Sequence, residues 1–321
     1  MTPIYGNAPA HAAFAAASRG GTLHHAWLFA GSEGVGKARY AREAAIRMLG
    51  EAAGEGAPMP RTRALVDAGS HPDFRVLSRL PKDAEKPDQD LARSVTIAQV
   101  RTLQPLFATA PSMSSRRVVL IDSIDDLERG GANALLKNLE EPPAGTIFLL
   151  VSHAPGRLLP TIRSRCRLLR FERLSDEDVA AAIRELRPEA EDAEVEALVR
   201  AADGAPGKAL RYAGLDIAGL DAAIAGLAEG DPNNARRAAL AKALAGKAAA
   251  PRYAAFLERV PSFIARTARQ RTGPALADAI AAHAKVREIA GAAIGLSLDP
   301  QATIFEIGGI VAGLHLKDPI G

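Results

Sequence analysis

One run constrains this chain more than any other: Gly31-Ser32-Glu33-Gly34-Val35-Gly36-Lys37-Ala38. It follows the apolar segment His25-Ala26-Trp27-Leu28-Phe29-Ala30 and precedes a helical pattern from Arg39 to Leu49. A strand, a glycine-rich turn and a helix in that order aim backbone N–H groups and a helix N-terminus at an anion, while a lysine adds a point charge for outer phosphates. Gly31, Gly34, Gly36 and Lys37 are therefore the candidate phosphate cradle. The position after the lysine should be Ser or Thr, whose hydroxyl holds Mg²⁺, and Ala38 offers only a methyl group.

A second loss lies downstream. Val118-Val119-Leu120-Ile121-Asp122 reads as a buried strand ending in an acid that would orient Mg²⁺ through water, so Asp122 joins the candidate nucleotide site. The next residue, where hydrolysing sites carry a Glu to activate water, is Ser123, and a hydroxyl is a poor base at neutral pH. Asp125 and Asp126 stand close enough in sequence to be weighed as substitutes, and weigh less than the plain loss. Two departures on two different catalytic parts predict a degenerate nucleotide site.

Strands alternate with helical patterns up to about Phe171, which predicts an α/β domain with a parallel sheet. Thr146 to Ser152 is almost unbroken apolar sequence, as expected of a central strand buried on both faces. Ile97, Val100, Leu103 and Leu106 recur at three-residue steps, predicting one helix face. Asn133 to Glu140 predicts a helix stopped by Pro142-Pro143. The segments Gly50–Gly69 and Pro81–Asp90 carry little periodicity and read as surface insertions, and Arg19-Gly20-Gly21 as a turn. Glu140-Glu141 reads as a solvated helix end, because neighbours on a helix point apart. After Phe171 the patterning is all helical, opening at Ser175 with a side-chain cap and an acidic first turn. From Asp216 onward five helices are expected, with breaks at Asp231-Pro232, Ala250-Pro251, Gly273-Pro274 and Asp299-Pro300.

Composition adds exclusions. Forty Lys and Arg against 37 Asp and Glu leave a net +3, a near balance that neither demands nor excludes nucleic acid. The single cysteine, Cys166, rules out an internal disulfide framework and reads as a small packing residue. No apolar run approaches the length of a membrane span, and Met1 to Ala17 lacks the pattern of a signal peptide. The expected compartment is the cytoplasm. The seven histidines show no metal-ligand spacing, so no metal site is expected.

Further motifs carry a family resemblance. Ser164-Arg165-Cys166, His25-Ala26-Trp27-Leu28, the glycine loop, and Asn133-Ala134-Leu135-Leu136-Lys137 leading to Leu139-Glu140-Glu141-Pro142-Pro143 closely resemble the bacterial DNA polymerase III clamp-loader family. Gly69-Ser70-His71-Pro72-Asp73, Ile97-Ala98-Gln99-Val100-Arg101 and Gly204-Ala205-Pro206-Gly207-Lys208-Ala209-Leu210 fit it too, the last in the manner of its non-motor branch. The match runs from Gly6 to about Ala213. It implies an AAA+ fold of three parts: an α/β nucleotide-binding-like domain over 1–171, a small helical lid over 172–214, and a C-terminal helical collar over 215–321.

The resemblance also implies a five-subunit ring with gamma/tau motor and delta subunits, acting on a sliding clamp and primed DNA. In the motor branch a nucleotide-sensing Arg stands where this chain has Gly207, a third departure. Arg165 would be an arginine finger, reaching in trans to the phosphates held by a neighbour. The chain's own ATPase would be weak or absent, with at most weak ATP or ADP binding, and it would count as enzymatic only within the polymerase holoenzyme. Many relatives carry a four-cysteine zinc module after the first helix of the loop; Gly50 to Gly69 has no cysteine, and zinc is not expected. Two other readings are an active motor ATPase of the same assembly and a stand-alone P-loop phosphotransferase.

Overall fold

A computed structural model of the chain describes residues 3–19, 23–54, 60–83 and 91–315. Gly20 and Gly21 of the expected turn, and 55–59 and 84–90 of the expected insertions, lie outside these residues. The chain divides into two compact units: 1–186 with 202–207, and 187–201 with 208–321.

The first unit is built on five parallel strands. In chain order its elements are α1 (Ala8–Arg19), β1 (Ala26–Ala30), α2 (Lys37–Ala52), α3 (Pro60–Asp67), β2 (Phe74–Ser78), α4 (Ile97–Arg101), α5 (Leu103–Phe107), β3 (Arg117–Asp122), α6 (Arg129–Glu140), β4 (Thr146–Ser152), α7 (Pro160–Arg163), β5 (Arg167–Arg170) and α8 (Asp176–Leu186). The sheet order is β2-β3-β4-β1-β5, so the fully buried β4 is central as its sequence predicts. Side-chain alternation gives each face its own core. Trp27 and Phe29 meet Phe14 of α1 edge-on, at ring separations of 4.9 and 5.4 Å. On the opposite face Leu28, Val119, Ile121, Phe148 and Leu150 pack against Val100, Leu103, Leu135, Leu139 and Ile162. At roughly 1.5–3 kcal/mol for each large apolar side chain removed from water, these two layers hold the sheet in place.

Two expectations need correction. The Ile97–Leu106 face is carried by two short helices, α4 and α5, meeting at Thr102. Pro105 has no N–H to donate back to Arg101, so the ladder breaks there. The Gly50–Gly69 segment is not simply an insertion: α2 continues to Ala52, and α3 buries Thr62 and Val66 while Arg63 clamps Glu43 of α2 at 2.7 and 2.5 Å. Eight residues with two buried positions leave too little periodicity to read.

The second unit contains, among the described residues, helices α9 (Asp192–Ala202, nearly all of it), α10 (Pro206–Tyr212, from Lys208 onward), α11 (Ile217–Ala228), α12 (Ala235–Leu244), α13 (Ala250–Ala268), α14 (Gly273–Leu296) and α15 (Pro300–His315). The last five are the expected five, with prolines in the first turns of α13, α14 and α15 where a missing N–H costs nothing. Asp216 caps α11 through Gly219 N at 3.0 Å, and the buried Arg259 grips Asp221 with two nitrogens, Nε at 2.6 Å. Among the described residues no helix is long and apolar enough to cross a membrane.

Candidate functional site

The glycine loop leaves the carboxyl end of β1, between β4 and β5, where a parallel sheet presents its crevice. Its first glycine is fixed by packing: a Cβ on Gly31 would fall 2.2 Å from the Phe171 carbonyl oxygen, so no side chain fits. Gly34 and Gly36 take φ of 86° and 96°, and α2 starts at Lys37. Lys37 is buried, and its Nζ donates to the loop's own carbonyls, Gly31 O at 2.8 Å and Ser32 O at 2.7 Å. Ala38 follows on the half-buried start of the helix, with no oxygen to offer a metal.

Around the lysine stand Asp122, at the end of β3, and His153, just past β4. Burial pushes the Asp122 carboxyl up, opposed by His153 and Lys37. Burial, then the Lys37 charge, holds the His153 imidazole below its usual range, and His153 Nδ1 is buried without a hydrogen-bond partner. Ser123 is buried with an unpartnered Oγ, so it neither activates water nor is activated. Asp125 is fully engaged: it accepts from Ser152 Oγ at 2.9 Å, His153 N at 2.6 Å and Ala154 N at 3.2 Å. Asp126 pairs with Arg79 at 3.2 Å. Neither acid stands in for the missing base.

Lys37 carries a testable consequence. Burial pushes it down to about 8, against Asp122, Asp125 and Glu33, which favour the charge. Above that pH the unfolded chain holds more protons than the folded one, so stability rises with pH toward the ordinary lysine value. Between pH 8 and 9 the gain from this group is about 1 kcal/mol. Beyond that the Cys166 thiol, pushed up to about 12 by burial, acts in the opposite sense. Urea unfolding at the two pH values is expected to show the rise in the native chain and not in Lys37→Met.

Gly207, the third expected departure from an active site, lies against the loop. Its N–H donates to Gly34 O at 2.9 Å, and a Cβ there would lie 2.8 Å from Gly34 Cα. A residue with any side chain would need the loop or the start of α10 to shift.

Arg165 is at the other end of the sheet. The parallel register pairs Trp27 with Arg167, so the Ser164-Arg165-Cys166 turn sits level with the amino end of β1. At about 3.3 Å per residue, Gly31 lies roughly 13 Å further along. Arg165 Nη1 donates to Thr161 O at 2.9 Å and its Nη2 meets Glu140 Oε1 at 2.6 Å. Glu140 is thus exposed, as its sequence predicts, yet paired; the partner lies 25 positions downstream, and no local pattern announces it. Cys166 packs against the core beneath.

The sequence therefore finds Gly31, Gly34, Gly36, Lys37 and Asp122 in one cluster, with Arg165 outside it. It misses His153 and the Gly207–Gly34 contact. A polar residue just beyond a central parallel strand is a usable signal for the former; the latter needs the fold. Two of the other motifs turn out to be structural. Gln99 completes a capping box with Thr96 and ties it to Ser78 O at 2.8 Å, and Asp73 accepts from three successive backbone N–H groups, Ser112, Met113 and Ser114, at 2.7, 2.7 and 3.1 Å.

The sequence profile described as DNA polymerase III, delta subunit, matches residues 6–175. Over 144 residues the chain is 40% identical to the DNA polymerase III subunit delta′ of Pseudomonas aeruginosa, covering 44% of this chain and 41% of that one. Over 153 residues it is 34% identical to subunit delta′ of Bacillus subtilis, covering 47% and 43%. It is 32% identical over 208 residues to subunit tau of Salmonella typhimurium, covering 64% and 31%. The matches span less than half the length of each relative. Among solved structures, a gamma subunit-related protein of Thermotoga maritima aligns at TM-score 0.47 and 16% identity over 95% of this chain and 99% of that one.

Proposed function

We propose, for a chain that belongs to the DNA polymerase III, delta subunit family, that it is the non-motor delta-prime subunit of a clamp loader, supplying a face and an arginine to a neighbouring ATPase. Its AAA+ domain, over 1–171, keeps the nucleotide-binding scaffold without turnover; 172–214 acts as the lid and 215–321 as the collar. The partners are gamma/tau-type motor subunits and a delta subunit in a five-membered ring, which opens a sliding clamp and loads it on primed DNA. Gly31, Gly34, Gly36, Lys37, Ala38 and Asp122 form a degenerate site with at most weak affinity for ATP or ADP.

The observation that carries this reading is the distance between the two motifs. Arg165 lies near the amino ends of the strands and the glycine loop at the carboxyl end of β1, so the arginine is out of reach of the chain's own phosphates. A guanidinium so placed, on an exposed turn, has a catalytic use only toward a nucleotide bound elsewhere. Ala38, the buried Ser123 and Gly207 seated on Gly34 support the same reading from the loop's side.

Mixing the full chain with gamma/tau-type and delta-type subunits, followed by size-exclusion chromatography, tests it. The expected result is co-elution in one five-subunit complex whose DNA-stimulated ATPase depends on this chain. Failure to enter a larger complex, or DNA-stimulated ATP hydrolysis by the purified chain alone, overturns it.

A further inference from the structure

A cavity of about 290 Å³ opens at the amino ends of β2 and β3, across the sheet from the glycine loop and at the edge away from Arg165. Its lining includes Asp73, Arg75, Thr102, Thr109, Ser112 and Arg117. Arg117 is the first residue of β3 and is 1% exposed. Its Nη2 donates to Thr109 O at 2.8 Å, while its Nε is buried with no partner. Arg75, an exposed residue of β2, uses one terminal nitrogen on Phe74 O and His71 O, at 2.8 and 3.1 Å. Among the described residues neither arginine forms an ion pair. Asp73, the nearby carboxylate, already accepts from three backbone N–H groups.

Burying a guanidinium is costly unless charge and hydrogen bonds compensate it, and leaving a buried N–H unpartnered adds to that cost. Here two guanidinium groups line one cavity with no carboxylate paired to either. Burial disfavours the Arg117 charge most; Asp73 favours it, and the nearby Arg75 charge opposes it by less. A doubly charged oxyanion between them would supply what the fold omits. The planar donor fork of arginine matches a phosphate oxygen pair. The volume exceeds the roughly 30 Å³ share of one liquid water several times over, enough for one tetrahedral oxyanion with solvent.

We propose that this cavity binds a phosphate group, held between Arg75 and Arg117. The group is either free inorganic phosphate or the terminal phosphate of a nucleic-acid strand. The site is independent of the glycine loop and of the function proposed above.

Isothermal titration of the full chain with inorganic phosphate, at ionic strength held constant with chloride, tests the proposal. Saturable binding is expected in the native chain and in Lys37→Ala, and at least tenfold weaker binding in Arg75→Gln. Arg117→Lys, with its fold checked by circular dichroism, is expected to weaken binding similarly, because the charge remains and the fork is lost. Arg75 is exposed, so its variant carries the test if Arg117→Lys does not fold. Competition by a 5′-phosphorylated dinucleotide, and not by its unphosphorylated form, identifies a strand terminus as the source; no competition identifies the free ion. Absence of saturable binding, or binding that survives Arg75→Gln and disappears in Lys37→Ala, overturns the proposal.

Discussion

In the assembled complex, Arg165→Ala is expected to slow ATP turnover at the neighbouring site by about 10³-fold or more, the range an arginine finger supplies. Lys37→Ala, on the chain's own loop, is expected to leave that turnover unchanged. Single-turnover hydrolysis at saturating ATP separates the two, and undiminished turnover with Arg165→Ala would sink the finger assignment. Charge alone does not suffice: Arg165→Lys keeps the cation and loses the planar fork, so it is not expected to rescue. The Glu140 contact does not stand in the way. Half-exposed ion pairs contribute about 0–1 kcal/mol, whereas a 10³-fold rate effect corresponds to about 4 kcal/mol. Exchanging Glu140 for a transferring phosphoryl group is therefore favourable by a wide margin. Because Arg165 is a third exposed and, among the described residues, its guanidinium bonds only to Glu140 and its own turn, its removal is expected to leave the melting temperature of the chain unchanged, which distinguishes a chemical from a structural role.

The second large effect is structural. Asp125→Ala removes the acceptor for Ser152 Oγ, His153 N and Ala154 N together, at the end of the central strand. Leaving these part-buried donors without partners is expected to lower stability by about 3 kcal/mol in urea unfolding. Asp126→Ala loses only a part-exposed pair with Arg79, and the expected cost is below about 1 kcal/mol. If Asp125→Ala were to abolish turnover in the complex with stability intact, the carboxylate would be acting as a base and the degenerate-site reading would fail.

The strand-loop-helix unit was legible because three local signals agree at Ala26 to Leu49: an apolar run, glycines where the backbone must turn, and a helical stripe. The central place of Thr146 to Ser152 followed from its lack of alternation, since a strand covered on both faces has no polar side. Less legible was anything decided by a partner distant in sequence. Asp125 can only be weighed as a minor candidate for a spare acid from its position in sequence, and what it does is decided by three donors 27 to 29 positions away. Glu140 looked solvated for the same reason. The short helix at Pro60–Asp67 was hidden by its length, because two buried positions make no period. For Arg165 the resemblance already implies a partner in trans, and the register with Trp27 adds what no motif carries, that the residue lies at the opposite end of the sheet from the chain's own glycine loop.

The seating of Gly207 on Gly34 bears on which side chains could ever reach the loop from that position. A hydroxyl at 38 would be a small step on the half-buried start of α2, whereas a carboxylate at 123 would bury a charge where Ser123 already has no partner. A long cationic side chain at 207 is different, because its first carbon would collide with the backbone of Gly34 before the rest of it reached a phosphate. The loop or the residues at Gly207 must first shift. A cation at 207 therefore carries an opening cost, because the shift breaks the hydrogen bond from Gly207 N–H to Gly34 O before the side chain makes any contact of its own.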